Sequence, residues 1–374
     1  NSATSDAITT ASDGTCTARI TSINGGSALS HRNVLINGAM TISQRGSTFS
    51  HLGSSNTNIL TMDRWKIRRS GSNNFDTTIT HSTDSPDGFL NSLKITPDAT
   101  ETPTGTMNGL IEQQIEGQSL QHFAYGTSSA KSITASFYAK SGSQNNGHNY
   151  TLQLRKYDSS NNTRIVTKAF TVTSSWQRFT MTFPGDTSND IKNSTDYTGF
   201  EFIFQLATGP DDLVAEQPTW TSTFTNWRGV TGNSNFMDNT SNEFYVTGCQ
   251  LEVGDTATTF EHRSHADELV RCSRYCQVWG RGYCIGNAVG SNDINIGVPL
   301  TTPLRDTPSA NALSMHRSGN QSASCTFHSA QYVAGTNVVE IRMGNWTGGA
   351  AVSDEVAYAV TPVSPATMIL SAEI

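Results

Sequence analysis

The chain is 374 residues long with a net charge of −7; only 15% of it is charged, while 44 Ser, 50 Thr, 29 Asn and 31 Gly make up two-fifths of it. That charge fraction lies below the ~25% of ordinary soluble domains, no A/E/K/L/R excess points to a coiled coil, and no long like-charge block marks a disordered tail. The acidic balance and dispersed basic residues argue against nucleic acid, whose affinity comes largely from Lys and Arg at phosphates, and no apolar run approaches the ~18 residues of a membrane span.

Residues 1–30 have few large apolar groups, which predicts an extended arm or connector held by neighbouring subunits rather than an independent domain. The chain opens on Asn1 without an initiator methionine or a signal-peptide layout, so processing or a longer parent protein is expected. Within the arm, the alternation of CTARITSI suits a strand paired with a neighbour.

From Asn33 the texture changes. NVLINGAMTISQRG, TMDRWKIRRS, NSLKITPD, SITASFYAKSG, NYTLQLRKYDSS, TKAFTVTSSWQRFTMTFPGD, TGFEFIFQLATG and SNEFYVTGCQLEVGD are short apolar/polar alternations closed by Gly, Asn, Asp, Ser or Pro. This period puts one face of each strand in a core and the other in water. Seven or more such strands, with no helical period between them, predict an all-β, jelly-roll-like antiparallel β-sandwich over residues 31–262. LRKYDSSNNTRIV reads as a hairpin turning at Asp158–Asn162.

In EHRSHADELVRCSRYCQVW, Ser264 suits an N-cap with Asp267 and Glu268 in the first turn, and apolar residues recur at helical spacing. A helix over about His265–Gln277 is expected inside a linker spanning 263–282. Strand texture then returns, and residues 283–374 predict a second, smaller β-sandwich module.

The candidate chemistry is sparse. The cysteines (Cys16, Cys249, Cys272, Cys276, Cys284 and Cys325) are irregularly spaced, and most are expected to be free thiols. Zinc sites pair ligands at short gaps in both halves, and only His262/His265 and Cys272/Cys276 come near that, so no zinc site is expected. Glu261 and Arg263 read as an ion pair at a strand-to-helix corner, and Trp65 of DRW as a core aromatic with Asp63 and Arg64 solvated or paired. Asp186, Asp190 and Asp196 share an oxygen-rich loop that would admit a structural calcium ion as cofactor, with a solvated loop as the plainer expectation.

A glycosidase needs two carboxylates roughly 5–10 Å apart in a cleft. The nearest pairs in sequence, Glu112/Glu116, Asp211/Asp212 and Asp267/Glu268, fit turn, strand and helix-start positions better. No nucleophile elbow, phosphate loop or HExxH motif is present, and no enzyme is expected. Flat rings stack on sugar faces while amides read the hydroxyls, which singles out Trp220, Phe224 and Trp227 in PTWTSTFTNWRG, and Trp346 in MGNWTGG, as glycan-platform candidates.

Six blocks carry a family resemblance: Asn33–Gly38, Gln44–Gly46, Asp63–Trp65, Ser136–Lys140, Ser174–Gln177 and Thr247–Tyr275. In order and spacing they resemble phage tail-fibre and virion-surface proteins with a carbohydrate-binding-like sandwich, over about residues 33–280. His265 and Cys276 depart from the pattern, where aromatic residues are usual, and bear on how the helix packs. The resemblance implies a virion-surface location on tail or capsid exterior, a homotrimer and contact with other virion proteins through the N-terminal arm; it does not identify the ligand, for which host surface glycans are the expectation. A tail fibre or fibre-like spike for host attachment is the leading expectation. A capsid decoration, cement or head-fibre protein with a purely structural role is the alternative, and a polysaccharide depolymerase the third.

Overall fold

The computed structural model describes residues 8–10, 16–18, 31–51, 58–71, 75–193, 198–224, 226–279, 284–289, 293–310, 314–317, 320–332, 335–347, 357–364 and 368–373. Near the N-terminus, β1 (Ile8–Thr10) and β2 (Cys16–Ala18) pair antiparallel, so part of the CTARITSI alternation is a strand as expected.

The central region follows as β3 (Thr48–His51), β4 (Asn58–Leu60), β5 (Lys66–Ser70), β6 (Thr77–Ser82), β7 (Ser92–Pro97), β8 (Asn108–Glu116), β9 (Ile133–Ser141), β10 (Asn149–Tyr157), β11 (Thr163–Thr171), β12 (Gln177–Phe183), β13 (Thr198–Thr208), β14 (Leu213–Val214), β15 (Gly229–Val230) and β16 (Phe244–Val253). Twelve of these strands form two six-stranded sheets, ordered β11-β10-β13-β8-β5-β4 and β12-β9-β16-β7-β6-β3. The pairings within both sheets are antiparallel. This is the jelly-roll-like sandwich expected from the alternation. Phe137, Phe170, Phe204, Phe244 and Tyr150 meet between the sheets, with Phe137 and Phe204 edge-to-face at 4.8 Å.

The NVLING block is a hydrogen-bonded knot that ties the start of the sandwich to its last strand. Asn33 donates from its side-chain amide to Cys249 O (3.0 Å) and accepts from Leu251 N (3.1 Å). Asn37 adopts φ +57°, which asparagine tolerates better than most residues, and its amide bridges the carbonyls of Ile42 and Asp63. Gly38 follows because a Cβ there would lie 2.1 Å from Cys249 O.

One sequence expectation changes here. The stretch around Glu112 and Glu116, expected to be a turn, is the second half of β8, and every residue of that strand is buried. Its neighbours β5 and β13 pair with it on both sides. Ile111 and Ile115 face the core, while Glu112, Gln114 and Glu116 on the opposite face are covered by other parts of the chain.

Helix α1 (His265–Ser273) starts where expected, with the Ser264 side chain accepting from Asp267 N at 3.1 Å. It ends four residues earlier than Gln277, because Cys276–Trp279 is drawn into a strand, β17, paired with β25 (Met368–Ser371). Long-range pairing outweighs helical spacing at this point. Removing the cap oxygen with Ser264→Ala should lower stability by about 1 kcal/mol; a urea unfolding midpoint identical to that of the parent would count against this cap.

The remaining strands are β18 (Cys284–Val289), β19 (Asp293–Pro299), β20 (Ser309–Ala310), β21 (Ser314–Arg317), β22 (Asn320–Tyr332), β23 (Val338–Thr347) and β24 (Ala357–Ser364). The C-terminal β module is present, but its strands β18-β19-β23-β22-β21-β24 close into a barrel instead of forming two facing sheets. Closure follows from β18 pairing with β19 on one side and with distant β24 on the other. The small sheet β17-β25-β20 lies outside this barrel in the hydrogen-bonding order. Ile296, Val298, Val339, Ile341, Met343, Met368 and Leu370 share one apolar cluster, so barrel strands and small sheet share packing.

Candidate functional site

The outer face of the β11-β10-β13-β8-β5-β4 sheet carries polar side chains that are nevertheless dry. Glu112 pairs with Lys66 (3.1 Å) and Arg68 (2.8 Å), and Glu201 with Arg155 (2.6 Å). Gln114 links the two groups by accepting from Lys66 (2.6 Å) and donating to Glu201 (3.0 Å). Burial would raise the Glu201 carboxyl pKa, but Arg155 and Arg68 outweigh it and hold it below the ordinary value. Burial pushes Lys66 down despite its carboxylate partner.

The cover over this face is the chain between β14 and β15. It pairs along the sheet edge through Ile165 and Thr221 (3.0 and 3.1 Å). It then crosses the face, with the Gln153 amide donating to Asn226 O (3.2 Å) and accepting from Arg228 N (3.1 Å). Trp227 sits in this crossing, with the Arg155 and Arg68 guanidinium carbons 4.8 and 4.9 Å from its ring centroid. Its indole N–H has no hydrogen-bond partner among the described residues.

Beside Trp227 lies an open cavity of about 710 Å³, lined by Arg155, Tyr157, Asn161, Asn162, Thr163, Arg164, Asn189, Ser222, Asn226 and Trp227. The β10–β11 hairpin forms one wall, turning at Asp158–Asn162 as the sequence predicts, with Asp158 N bonded to Asn162 O (3.0 Å) and Asn161 at φ +64°. Asp158 is the hub beneath this wall. It accepts from Ser160 N, Asn162 N and the Asn162 and Asn189 amides at 2.8–3.1 Å. Burial opposes its charge, but these donors hold its pKa below the usual carboxylate range. The side chains of Asn161, Asn162, Ser222 and Asn226 are left exposed on the cavity wall.

The sequence-derived candidates divide. Trp227 lines the cavity. Trp220 does not: it is a core residue, 7% exposed, packed on Tyr125 and Phe200 with its N–H on Pro184 O at 2.8 Å. A platform role for Trp220 is therefore corrected to a packing role. Phe224 is half-buried with the Arg228 guanidinium 5.5 Å from its ring centre. Trp346 falls on β23, and its side chain lies outside the described residues.

Asp186 is not free to ligate a calcium ion. Its carboxylate pairs with Lys156 and Arg164, both at 3.0 Å, and accepts from Ser188 N (3.0 Å) and Asn189 N (3.3 Å), so an incoming cation would meet two cations already there. Asp190 accepts from Ser159 N at 3.1 Å, and Asp196 lies outside the described residues. Among the described residues no three His, Cys, Asp or Glu are placed to hold a metal. Cys249, Cys272 and Cys276 are free and buried.

Glu112 and Glu116, the nearest acidic pair on one strand, lie on the same face four residues apart, about 13 Å along the strand, beyond the separation that glycoside hydrolysis uses. Each is paired with a basic side chain, Glu116 with Arg274 (3.0 Å), and Glu116 also accepts from the Tyr275 hydroxyl (2.7 Å). Glu261 and Arg263 form the expected corner ion pair at 3.3 Å. A smaller cavity of about 340 Å³ opens beside the helix start, between Phe89, Leu90, His262, Arg263 and His265. His265 is exposed there, and Cys276 is buried on β17.

Of the residues lining this cavity, the sequence singled out Trp227 and not Arg155, Tyr157, Asn161, Asn162, Asn189 or Asn226. The Asn-rich hairpin turn was the available signal.

No protein-family model matches the chain, and no curated protein matches it. Solved structures with partial likeness include the enzymatically active domain of Bacteriophage CBA120 tailspike protein 4, at 11% identity, TM-score 0.30 and 59% of this chain. This chain covers 21% of that tailspike chain. The CBM22-1 xylan-binding domain of Paenibacillus barcinonensis Xyn10C matches at 8% identity and TM-score 0.31, over 63% of this chain and all of that one. A family 11 carbohydrate-binding module of Clostridium thermocellum, in complex with a mixed-linked tetrasaccharide, matches at 13% identity and TM-score 0.29, over 58% of this chain and 98% of that one.

Proposed function

We propose that this chain is a non-catalytic glycan-binding protein of a phage virion surface, a tail fibre or fibre-like spike that contacts host glycans through the cavity beside Trp227. The observation that carries the glycan reading is the wall of that cavity, where the rings of Tyr157 and Trp227 stand beside exposed Asn161, Asn162, Ser222 and Asn226. Aromatic surface and convergent amides are what a sugar with one apolar face and a ring of hydroxyls requires. The volume lies in the roughly 300–1,000 Å³ range of small-ligand sites.

The virion assignment is supported by the six ordered sequence blocks, and the homotrimer and arm-mediated attachment belong to the same proposal. Weak single-site affinity suits such an assembly, because linked copies multiply avidity without new contacts. The non-catalytic part is supported by Glu112 and Glu201, whose charges are already committed to Lys66, Arg68 and Arg155.

A glycan array tests the reading directly. The full chain should bind a defined set of glycans, and Trp227→Ala combined with Asn162→Ala should weaken that binding at least about tenfold, a loss of ~1.4 kcal/mol, with the circular dichroism spectrum unchanged. Binding that survives both changes would remove this cavity as the site. Release of new reducing ends from a bound polysaccharide would point to the depolymerase, and localisation to capsid faces without loss of adsorption on removal would point to the decoration protein.

A further inference from the structure

Resting on the glycan reading of the same cavity, we infer that the ligand is a neutral oligosaccharide, recognised by amides, hydroxyls and rings instead of by charge. At first sight the wall suggests the opposite. It contains two arginines, and among the described residues no aspartate or glutamate lines it. Two guanidinium groups in an open polar cavity ordinarily mark a carboxylate or sulfate site.

Both cations are already engaged from behind. Arg155 grips Glu201 with two nitrogens, Nε at 2.6 Å and Nη2 at 3.0 Å, and that Nη2 also donates to the Tyr157 hydroxyl. Arg164 sets Nε against Asp186 at 3.0 Å, donates from Nη2 to Trp220 O at 2.7 Å and from Nη1 to Asn189 Oδ1. The paired carboxylates are 0% and 3% exposed. A buried carboxylate stripped of its guanidinium is left as an uncompensated charge, so a ligand anion cannot recruit either arginine without a large penalty.

The arginines therefore act as struts. Arg155 holds the Tyr157 hydroxyl and lies against the Trp227 ring, and Arg164 orients the Asn189 amide, whose nitrogen donates to Asp158. Lys192 Nζ, next to the wall, is bonded to Asn161 Oδ1 at 2.5 Å, and the exposed lining groups that remain for a ligand, Asn162, Ser222 and Asn226, are uncharged.

The test measures affinity by calorimetry for neutral gluco-, galacto-, manno- and xylo-oligosaccharides and for matched uronate and sulfated forms, at about 0.05 M and 0.5 M NaCl. Those concentrations bracket strong and weak screening of exposed charge. The inference expects neutral members to bind best, with less than about a twofold change in Kd between the two salts, since no ligand charge is there to screen. Tighter binding of the uronate or sulfated forms, falling about tenfold or more at high salt, overturns the inference and leaves the glycan reading standing. Binding of no oligosaccharide of either kind removes both.

Discussion

Glu373→Ala is expected to cost about 3–5 kcal/mol, the penalty for removing one partner of a buried ion pair and stranding the other. Glu373 follows β25 and inserts its carboxylate against the sandwich, where it pairs with Arg45 at 3.2 Å and with Arg64. Arg45 also contacts Asp63 at 3.3 Å, and the Arg64 guanidinium lies 3.5 Å from the Tyr275 ring centre. Two arginines would thus lose their shared anion, and of the contacts joining the last strand to the first sandwich loops the Arg45 bond to Ser371 Oγ (3.1 Å) would remain. Urea unfolding measures the loss, and faster proteolysis within the C-terminal module should accompany it. A change below about 1 kcal/mol, within the range of ordinary substitutions, would show that this cluster does not hold the two regions together.

The same cluster sets an acid dependence. Burial would raise the Glu373 pKa, but Arg64 and Arg45 outweigh it and hold it below the ordinary value; Glu116 is likewise held low, by Arg274 and Tyr275 against its burial. A carboxyl depressed in the folded state stabilises the fold fully above its unfolded pKa of about 4.3, and that share is lost as pH falls through the lower folded value. Asp63 works in the opposite sense, because burial outweighs Arg45 and raises its pKa. Glu373→Gln should therefore be less stable than the parent at neutral pH and lose less stability on acidification below pH 4. Parallel acid profiles would refute the assignment to Glu373.

Trp65→Ala should be comparably severe, about 3–5 kcal/mol for the cavity left by a buried large aromatic. Trp65 is fully buried, edge-on to Phe202 at 6.3 Å, and its indole N–H donates to Asn37 O at 3.0 Å. Removing it empties the core beneath the NVLING knot and takes one of two donors from that carbonyl, which still accepts from Met40 N at 3.1 Å. Trp65→Phe separates the two effects, since it keeps much of the volume and loses the indole donor, for about 0.5–1.5 kcal/mol. If the alanine and phenylalanine variants unfold at the same urea concentration, packing is not what Trp65 contributes.

Trp65 also illustrates what could be read without coordinates. It stands just before the apolar alternation of β5, so a core position followed from period alone. The Asp158–Asn162 turn and the Ser264 cap followed from local chemistry, because hairpin turns and helix starts are satisfied by residues a few positions apart. Trp220 and Trp227 show the limit. They lie seven residues apart in one Thr-rich stretch with no strong period, yet one ring joins the core and the other lines the cavity.

By itself the sequence determined that this is an antiparallel β protein, where most strands of the sandwich run, which side of each faces the core, and where helix α1 begins. Those properties rest on periods and caps spanning a few residues. Only the tertiary structure decided that the C-terminal strands close into a barrel, that Gln277 lies in a strand, and that the polar face of β8, β10 and β13 is dry. The reason is that the groups responsible are distant in sequence: β24 for β18, β25 for β17, and the chain between β14 and β15 for the charged sheet face. Alternation marks a polar residue as facing away from the core, but whether it meets water or a buried partner depends on what later folds across it.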